Sequence, residues 1–173
     1  MYATNNAGPA VTDIVLDNIP VFNVDIIFLD GALIFVLFLI GVLLYCPKFI
    51  PFTLKSISLF YIIRSFSITL THIGPSPEQS PLVLNSLNKI FVFGGDLFFS
   101  GHTGLPFLMA LIFWKNKALR YSFLFASIVA GVSVLLGHLH YSIDVFAAFF
   151  ITYGIFHMSQ VIFKKDFEYA DKE

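Results

Sequence analysis

The sequence contains little charge and almost no cysteine. Only 12% of its 173 residues are Asp, Glu, Lys or Arg, and the formal net charge is -1. Binding of a nucleic acid needs a concentrated patch of Lys and Arg, and the chain has no such basic run, so we expect no nucleic-acid partner. The single cysteine, Cys46, excludes a disulfide within the chain.

Hydrophobic residues, by contrast, make up 57% of the chain, and 22 residues are Phe. A soluble domain of this size cannot bury that much apolar surface, whereas lipid chains solvate it readily. About five apolar stretches are long enough to cross the ~30 Å hydrocarbon layer as helices. We therefore predict an all-α fold, a polytopic transmembrane helical bundle of about five spans. The predicted spans are 26–45, 49–73, 97–114, 119–139 and 143–163.

The positions of the basic residues indicate how the spans are oriented. Lys and Arg concentrate in cytoplasmic loops, and here they occur in the first and third connections and after the last span. We therefore expect an extracytoplasmic N-terminal segment (1–25), a single transmembrane catalytic domain (26–163) and a cytoplasmic tail (164–173). The N-terminal segment has no basic residue and contains Pro9 and Pro20, so it lacks the pattern of a secretory signal. Either the first span directs insertion itself or a further segment precedes it.

Two polar segments, 94–103 and 138–144, interrupt the apolar pattern. The predicted topology puts both at the same outer face of the bilayer. Ionisable residues at membrane depth are costly and usually mark function. We therefore expect His102, His140 and Asp144 to lie within reach of one another.

The spacing of these three residues suits phosphoryl-group chemistry. His140 and Asp144 are four residues apart, which on a helix puts them on one face, one turn apart. The carboxylate can then hold one ring nitrogen of His140 and leave the other free to attack. His102, on another helix, can protonate the leaving oxygen.

Phosphoryl transfer also needs positive charge and hydrogen-bond donors around the non-bridging oxygens. Arg64 can supply the cation, the backbone at Gly101 an N–H group, and Ser100 a hydroxyl. Two simpler interpretations stay open: Arg64 could form a structural ion pair with Asp30, and the Ser-Gly pair could be only a helix start, capped by Asp96.

The two segments resemble the paired signatures of sphingomyelin synthases, within the wider type 2 phosphatidic acid phosphatase superfamily. The resemblance implies that His140 is the nucleophile that forms a phosphohistidine, Asp144 its orienting partner, and His102 first the acid and then the base. The matching patterns are Gly95-Asp96-x-x-x-Ser100-Gly101-His102-Thr103 and His140-Tyr141-Ser142-x-Asp144-Val145, together with Arg64 and Thr71 before them and Tyr153 and His157 after them.

By this resemblance the protein would transfer phosphocholine or phosphoethanolamine from a phospholipid to a lipid alcohol such as ceramide, without a metal or another cofactor. Its partners would be membrane lipids, and the oligomeric state is left open. The predicted substrate-binding residues are Arg64, Asp96, Ser100, Gly101, Thr103 and Tyr141.

The sequence departs from the superfamily's pattern in three ways. Phosphatases of the superfamily have an arginine six residues before the second histidine, where this chain has Val134, and this favours a diester head group over a dianionic phosphate. Gly94 stands where the synthase signature usually has Cys. Synthases also have about six spans, whereas this chain has about five.

Three alternatives follow from these departures and from the histidine pattern. The protein could hydrolyse phosphatidic acid or another lipid phosphate, or it could be a non-catalytic membrane scaffold. His102, His138 and His140 could also form a zinc site, although the chain offers it no cysteine. We expect His72 and His138 to be packing or hydrogen-bonding residues.

Overall fold

The computed structural model describes residues 8–71, 73–80 and 98–172, and all regular secondary structure in these ranges is helical. The predicted all-α bundle is confirmed. Short helical turns cover Leu16–Asn18 and Pro47–Phe49, and a π-helical turn, Ile26–Asp30, continues directly into the first α-helix. The α-helices are α1 (Gly31–Tyr45), α2 (Ile50–Leu70), α3 (Gly101–Ile112), α4 (Lys117–Leu136), α5 (Ser142–Ile162) and α6 (Lys164–Asp171).

Four helical stretches in the described ranges are long and apolar enough to cross a membrane, and they agree with four predicted spans to within a few residues. The remaining predicted span, 97–114, is shorter than expected, because α3 has only 12 residues. A helix of that length extends about 18 Å, less than the ~30 Å hydrocarbon layer. The four stretches are Ile26–Tyr45, Pro47–Leu70, Lys117–Leu136 and Ser142–Ile162.

Helix α3 begins at Gly101 because the two residues before it leave the helical conformation. Phe99 has a φ of 32°, in the left-handed region that bulky side chains rarely adopt. Ser100 is extended, and its side chain accepts a hydrogen bond from the amide of Thr103 as the N-cap. The first polar segment therefore opens a helix instead of lying inside a longer span.

Helix α3 lies at the centre of the bundle, packed mainly against α4 and α5 and also against α2. Its buried side chains, such as Leu108 and Met109, contribute to the main core together with Phe60 of α2 and Phe123 of α4. Many large apolar side chains of the outer helices are instead exposed. An apolar exterior of this kind is what a surface in contact with lipid requires.

Basic residues gather at one end of the bundle. Lys55 forms an ion pair with Asp166 at 2.6 Å, and Lys115 forms one with Asp171 at 2.8 Å. Both acidic partners belong to α6, so most of the predicted tail, 164–173, is a helix that folds back against this end.

Two other segments cover the opposite end of the bundle, where α4 turns into α5. The amide of Phe22 donates a hydrogen bond to the carbonyl of Leu136 at 2.9 Å, and the amide of Ser80 donates to the carbonyl of Gly137 at 3.0 Å. The turn that carries the second polar segment is therefore held by chain from both the N-terminal region and residues 73–80.

Candidate active site

A backbone hydrogen bond joins the two polar segments: the amide of Ser100 donates to the carbonyl of Asp144 at 3.1 Å. His102 lies in the first turn of α3, and His140 lies two residues before α5 begins. Arg64 lies against Gly101, the residue next to His102, and His140 and His102 interact electrostatically. The fold thus brings the two histidines and a cation together at one end of the bundle.

The carboxylate of Asp144 orients the second segment. Its Oδ2 lies 3.4 Å from Nδ1 of His140 and accepts a hydrogen bond from the amide of Tyr141 at 3.1 Å. Asp144 is fully buried, and only 6% of the His140 side chain is exposed. Because Nδ1 faces the carboxylate, Nε2 is the ring nitrogen of His140 that remains for chemistry.

The backbone is strained shortly before each histidine. His138, two residues before His140, has a φ of 52°, and Phe99, three residues before His102, has a φ of 32°. Non-glycine residues seldom adopt this left-handed region, and such strain concentrates at functional sites where the surrounding fold maintains it. His138 is itself buried, and its Nε2 has no hydrogen-bond partner within the described ranges.

Arg64 of α2 reaches the start of α3. Its Nε donates a hydrogen bond to the carbonyl of Phe99 at 3.1 Å, and its guanidinium lies so close to Gly101 that an added Cβ there would be 3.0 Å from Nε. Arg64 is buried whereas Asp30 is exposed, and no ion pair joins these two described residues. Because Gly101 has no side chain, the guanidinium of Arg64 can occupy the space beside His102.

Ser100 and Thr103 use their hydroxyl groups inside the protein. Oγ1 of Thr103 donates to Oγ of Ser100 at 3.2 Å, and both side chains are fully buried. Ser127 of α4 donates to the carbonyl of Thr103 at 2.8 Å. Two of the predicted substrate-binding residues thus contribute to the helix start and its packing, while Asp96, another of them, lies outside the described residues.

Tyr141, a further predicted substrate-binding residue, connects three segments of the chain. Its hydroxyl donates a hydrogen bond to the carbonyl of Gly74 at 2.9 Å and accepts one from the amide of Val11 at 3.3 Å. The side chain is buried. Tyr141 therefore holds the covering segments against the turn that contains His140.

Phe28, which sequence reasoning missed, packs against the ring of His102. The two ring centroids are 4.2 Å apart with an interplanar angle of 34°. Phe28 lies in the π-helical turn Ile26–Asp30, and turns of this type occur frequently at functional sites. No sequence signal separates this residue from the other phenylalanines of the apolar spans.

A cavity of about 270 Å³ opens beside His102, between α1, α2, α3 and α4. Arg64, His102, Tyr61 and Ser133 contribute polar side chains to its wall, and Gly101 contributes backbone. The rest of the wall is mostly apolar, and an added Cβ at Gly31 would meet no atom within 4 Å. Apolar lining residues include Ile27, Phe35, Leu105, Phe125 and Val129.

The remaining histidines do not add to this group. His157 is exposed on α5, where its ring packs edge-on against Tyr153 with centroids 4.4 Å apart. His72 lies outside the described residues. Among the described His, Cys, Asp and Glu side chains, no three are arranged to hold a metal ion, so the zinc alternative has no geometric support.

Both polar segments and nearly all of α5 lie within one region of similarity to known proteins. Residues 94–161 match the family model PAP2 superfamily C-terminal. The match is to the superfamily and supports an enzyme of the lipid phosphatase or phosphotransferase type. The comparisons with curated proteins and with solved structures find no match.

Proposed function

We propose that this protein is a membrane lipid phosphotransferase that moves phosphocholine or phosphoethanolamine to a lipid alcohol such as ceramide. The observation that carries the proposal is the position of His140, whose Nδ1 faces Asp144 while His102 and Arg64 lie nearby. The nucleophile, its orienting partner, a general acid and a cation thus lie together.

In the first half-reaction Nε2 of His140 attacks the phosphorus of the donor phospholipid. A phosphorus–nitrogen bond forms and the bond from phosphorus to the diacylglycerol oxygen breaks. His102, which takes up a proton when the anionic donor occupies the site, donates it to that oxygen, and diacylglycerol leaves. The Asp144 carboxylate stabilises the positive charge on the His140 ring, and Arg64 stabilises the non-bridging oxygens.

In the second half-reaction His102, now neutral, removes the proton from the hydroxyl of the acceptor. The acceptor oxygen attacks phosphorus, and the phosphorus–nitrogen bond to His140 breaks. The products are the new phosphodiester and the original enzyme, with His102 again protonated. The same histidine therefore serves as acid and then as base.

The cavity beside His102 supports a lipid as substrate. Its polar side chains are those of His102, Arg64, Tyr61 and Ser133, and most of its wall is apolar. A hydrocarbon chain in the cavity would keep its attached phosphate at the histidine end. Binding of this kind depends on burying apolar surface and fits a lipid better than a water-soluble phosphate ester.

The residue at position 134 supports a diester head group. Val134 is fully buried, in a cluster with Val24, Phe28, Leu29 and Val145. An apolar side chain therefore stands where phosphatases of the superfamily carry an arginine. A phosphodiester has one negative charge, whereas the phosphate of phosphatidic acid approaches two at neutral pH, so the diester needs less compensating charge.

We further propose that the site faces the extracytoplasmic side of the membrane. Lys55 and Lys115 both form ion pairs with α6, at the end of the bundle opposite the histidines. Because basic residues concentrate on the cytoplasmic side, this arrangement favours a periplasmic or lumenal location for His102 and His140.

A product analysis tests the transferase proposal. Purified protein in liposomes is incubated with phosphatidylcholine or phosphatidylethanolamine labelled in the head group, with and without ceramide. We expect label in a new sphingolipid only when ceramide is present, and loss of this product in His140→Ala but not in the control His157→Ala. Label found only in water-soluble head group or phosphate would indicate hydrolysis, and no labelled product from any lipid would favour the scaffold alternative.

A further inference from the structure

A carboxylate from the N-terminal segment reaches the turn that carries His140. Asp13 is only 8% exposed, although its neighbours Thr12 and Ile14 are exposed. Its Oδ2 accepts a hydrogen bond from the amide of Ser142 at 2.6 Å, and its Oδ1 accepts one from the amide of Val15 at 2.9 Å. The contact joins residues that are 129 positions apart in the sequence.

Ser142 is the first residue of α5, where the amide N–H groups have no acceptor within the helix. The carboxylate of Asp13 supplies that acceptor from outside. The preceding amide, that of Tyr141, donates to Oδ2 of Asp144 at 3.1 Å. The two backbone amides that directly follow His140 are thus held by two different carboxylates.

The charge of Asp13 strengthens this contact. Burial raises the pKa of its carboxyl group, but hydrogen bonds from Ser142, Val15 and Leu16 outweigh that effect and lower the pKa below the usual value of 3.8. Asp13 is therefore ionised at neutral pH. A negative charge at a helix N-terminus also interacts favourably with the helix dipole.

We propose that Asp13 is a positioning residue for the nucleophile, which fixes the start of α5 and thereby keeps His140 aligned with Asp144. The contact between Val11 and the Tyr141 hydroxyl, 3.3 Å long, supports the same role, because it holds the residue next to His140 to the same N-terminal segment. The inference rests on the proposed function of His140.

The kinetic test compares Asp13→Ala and Asp13→Asn with Asp17→Ala. Asp17 is an exposed carboxylate in the same segment, and among the described residues its side chain accepts a hydrogen bond from the amide of Asp13 alone. We expect Asp13→Ala to lower kcat about tenfold with little change in KM, because a small misplacement of reacting groups is costly. Asn keeps an acceptor oxygen, so Asp13→Asn restores most of kcat, and Asp17→Ala behaves like the wild type.

Ser142→Pro provides a second test that leaves the carboxylate unchanged. Proline is well tolerated at the first position of a helix, and the extended backbone of Tyr141, with ψ 158°, suits a residue before proline. The substitution removes both the N–H and the hydroxyl that Ser142 donates to Asp13. Ser142→Pro should lower kcat to about the same extent as Asp13→Ala. It therefore tests the role of Asp13 even if the Asp13→Ala protein does not fold.

A further readout needs no substrate. It is the rate at which diethyl pyrocarbonate modifies His140 in the folded protein, measured by peptide mass spectrometry. His140 is buried, so loosening the turn should raise this rate several-fold in Asp13→Ala but not in Asp17→Ala. Wild-type kcat and a wild-type modification rate in folded Asp13→Ala would overturn the positioning role. Absence of any transfer by the wild type would instead overturn the proposed function, while the modification rates would still decide the role of Asp13.

Discussion

The amide of Ser100 donates a hydrogen bond to the carbonyl of Asp144, across 3.1 Å. This bond ties the residue that caps α3 to the residue that orients His140. Consequently, the start of α3, where His102 lies, is joined directly to the start of α5.

The first prediction concerns Asp144. In Asp144→Asn the oxygen that accepts from the amide of Tyr141 can still face Nδ1 of His140, but the group no longer carries the negative charge that stabilises the His140 ring when it bonds to phosphorus. We expect kcat to fall by about 10²-fold or more, as for other histidines that lose an orienting carboxylate, with little change in stability. Single-turnover kinetics and thermal unfolding measure the two effects. Activity within twofold of the wild type would exclude the orienting role.

The second prediction concerns Arg64. Its side chain reaches the start of α3 beside Gly101, so Arg64→Ala should remove charge stabilisation of the transferring group and lower kcat/KM by about 10²-fold. Arg64→Lys keeps the charge but not the planar group that donates to Phe99, and an intermediate loss is expected. Initial rates of head-group transfer measure both variants. Equal rates for Arg64→Ala and wild type would contradict an electrostatic role.

The third prediction concerns the cavity. Leu at position 31 would fill space where an added Cβ meets no atom within 4 Å, so the bundle should fold normally. If a hydrocarbon chain occupies this space, Gly31→Leu should lower kcat/KM about tenfold for long-chain donors, but not for donors with very short chains. Gly154→Leu is the matched control, because Gly154 is equally open but does not line this cavity. An equal loss for both chain lengths would argue against chain binding there.

The fourth prediction concerns the orientation of the bundle in the membrane. With Cys46 replaced by Ser, a cysteine introduced at Thr12 should react with a membrane-impermeant maleimide added to intact cells. A cysteine at Asn116, in the turn between α3 and α4, should react only after the cells are permeabilised. The reverse pattern would put the histidines on the cytoplasmic side.

The sequence predicts the helical bundle well because the signals for it are local. Apolar stretches long enough to cross the bilayer can be read from composition, and four of them agree with the helices found. The length of α3 could not be predicted in this way. It depends on the left-handed backbone of Phe99, whose carbonyl is held by Arg64 of another helix, and no periodicity reports such a contact.

The site itself was predictable only in part. The sequence predicted the contact between His140 and Asp144, but for a reason that was wrong. His140 lies in the turn two residues before α5, and the Asp144 carboxylate reaches back past the N-cap Tyr141 to Nδ1 of His140. Polar character alone, however, did not reveal that Thr103 is buried in helix packing. Asp13 and Phe28 were missed because each reaches the site through a tertiary contact with a distant residue.

We propose that His140 carries the phosphoryl group as a covalent adduct, and this adduct can be trapped. His102→Ala is incubated with p-nitrophenyl phosphorylcholine, whose good leaving group needs no general acid, so the intermediate should form but not transfer further. Mass spectrometry should then find a phosphocholine adduct on His140, and the double variant with His140→Ala should have none. An adduct on a different residue, or its persistence in the double variant, would exclude His140 as the nucleophile.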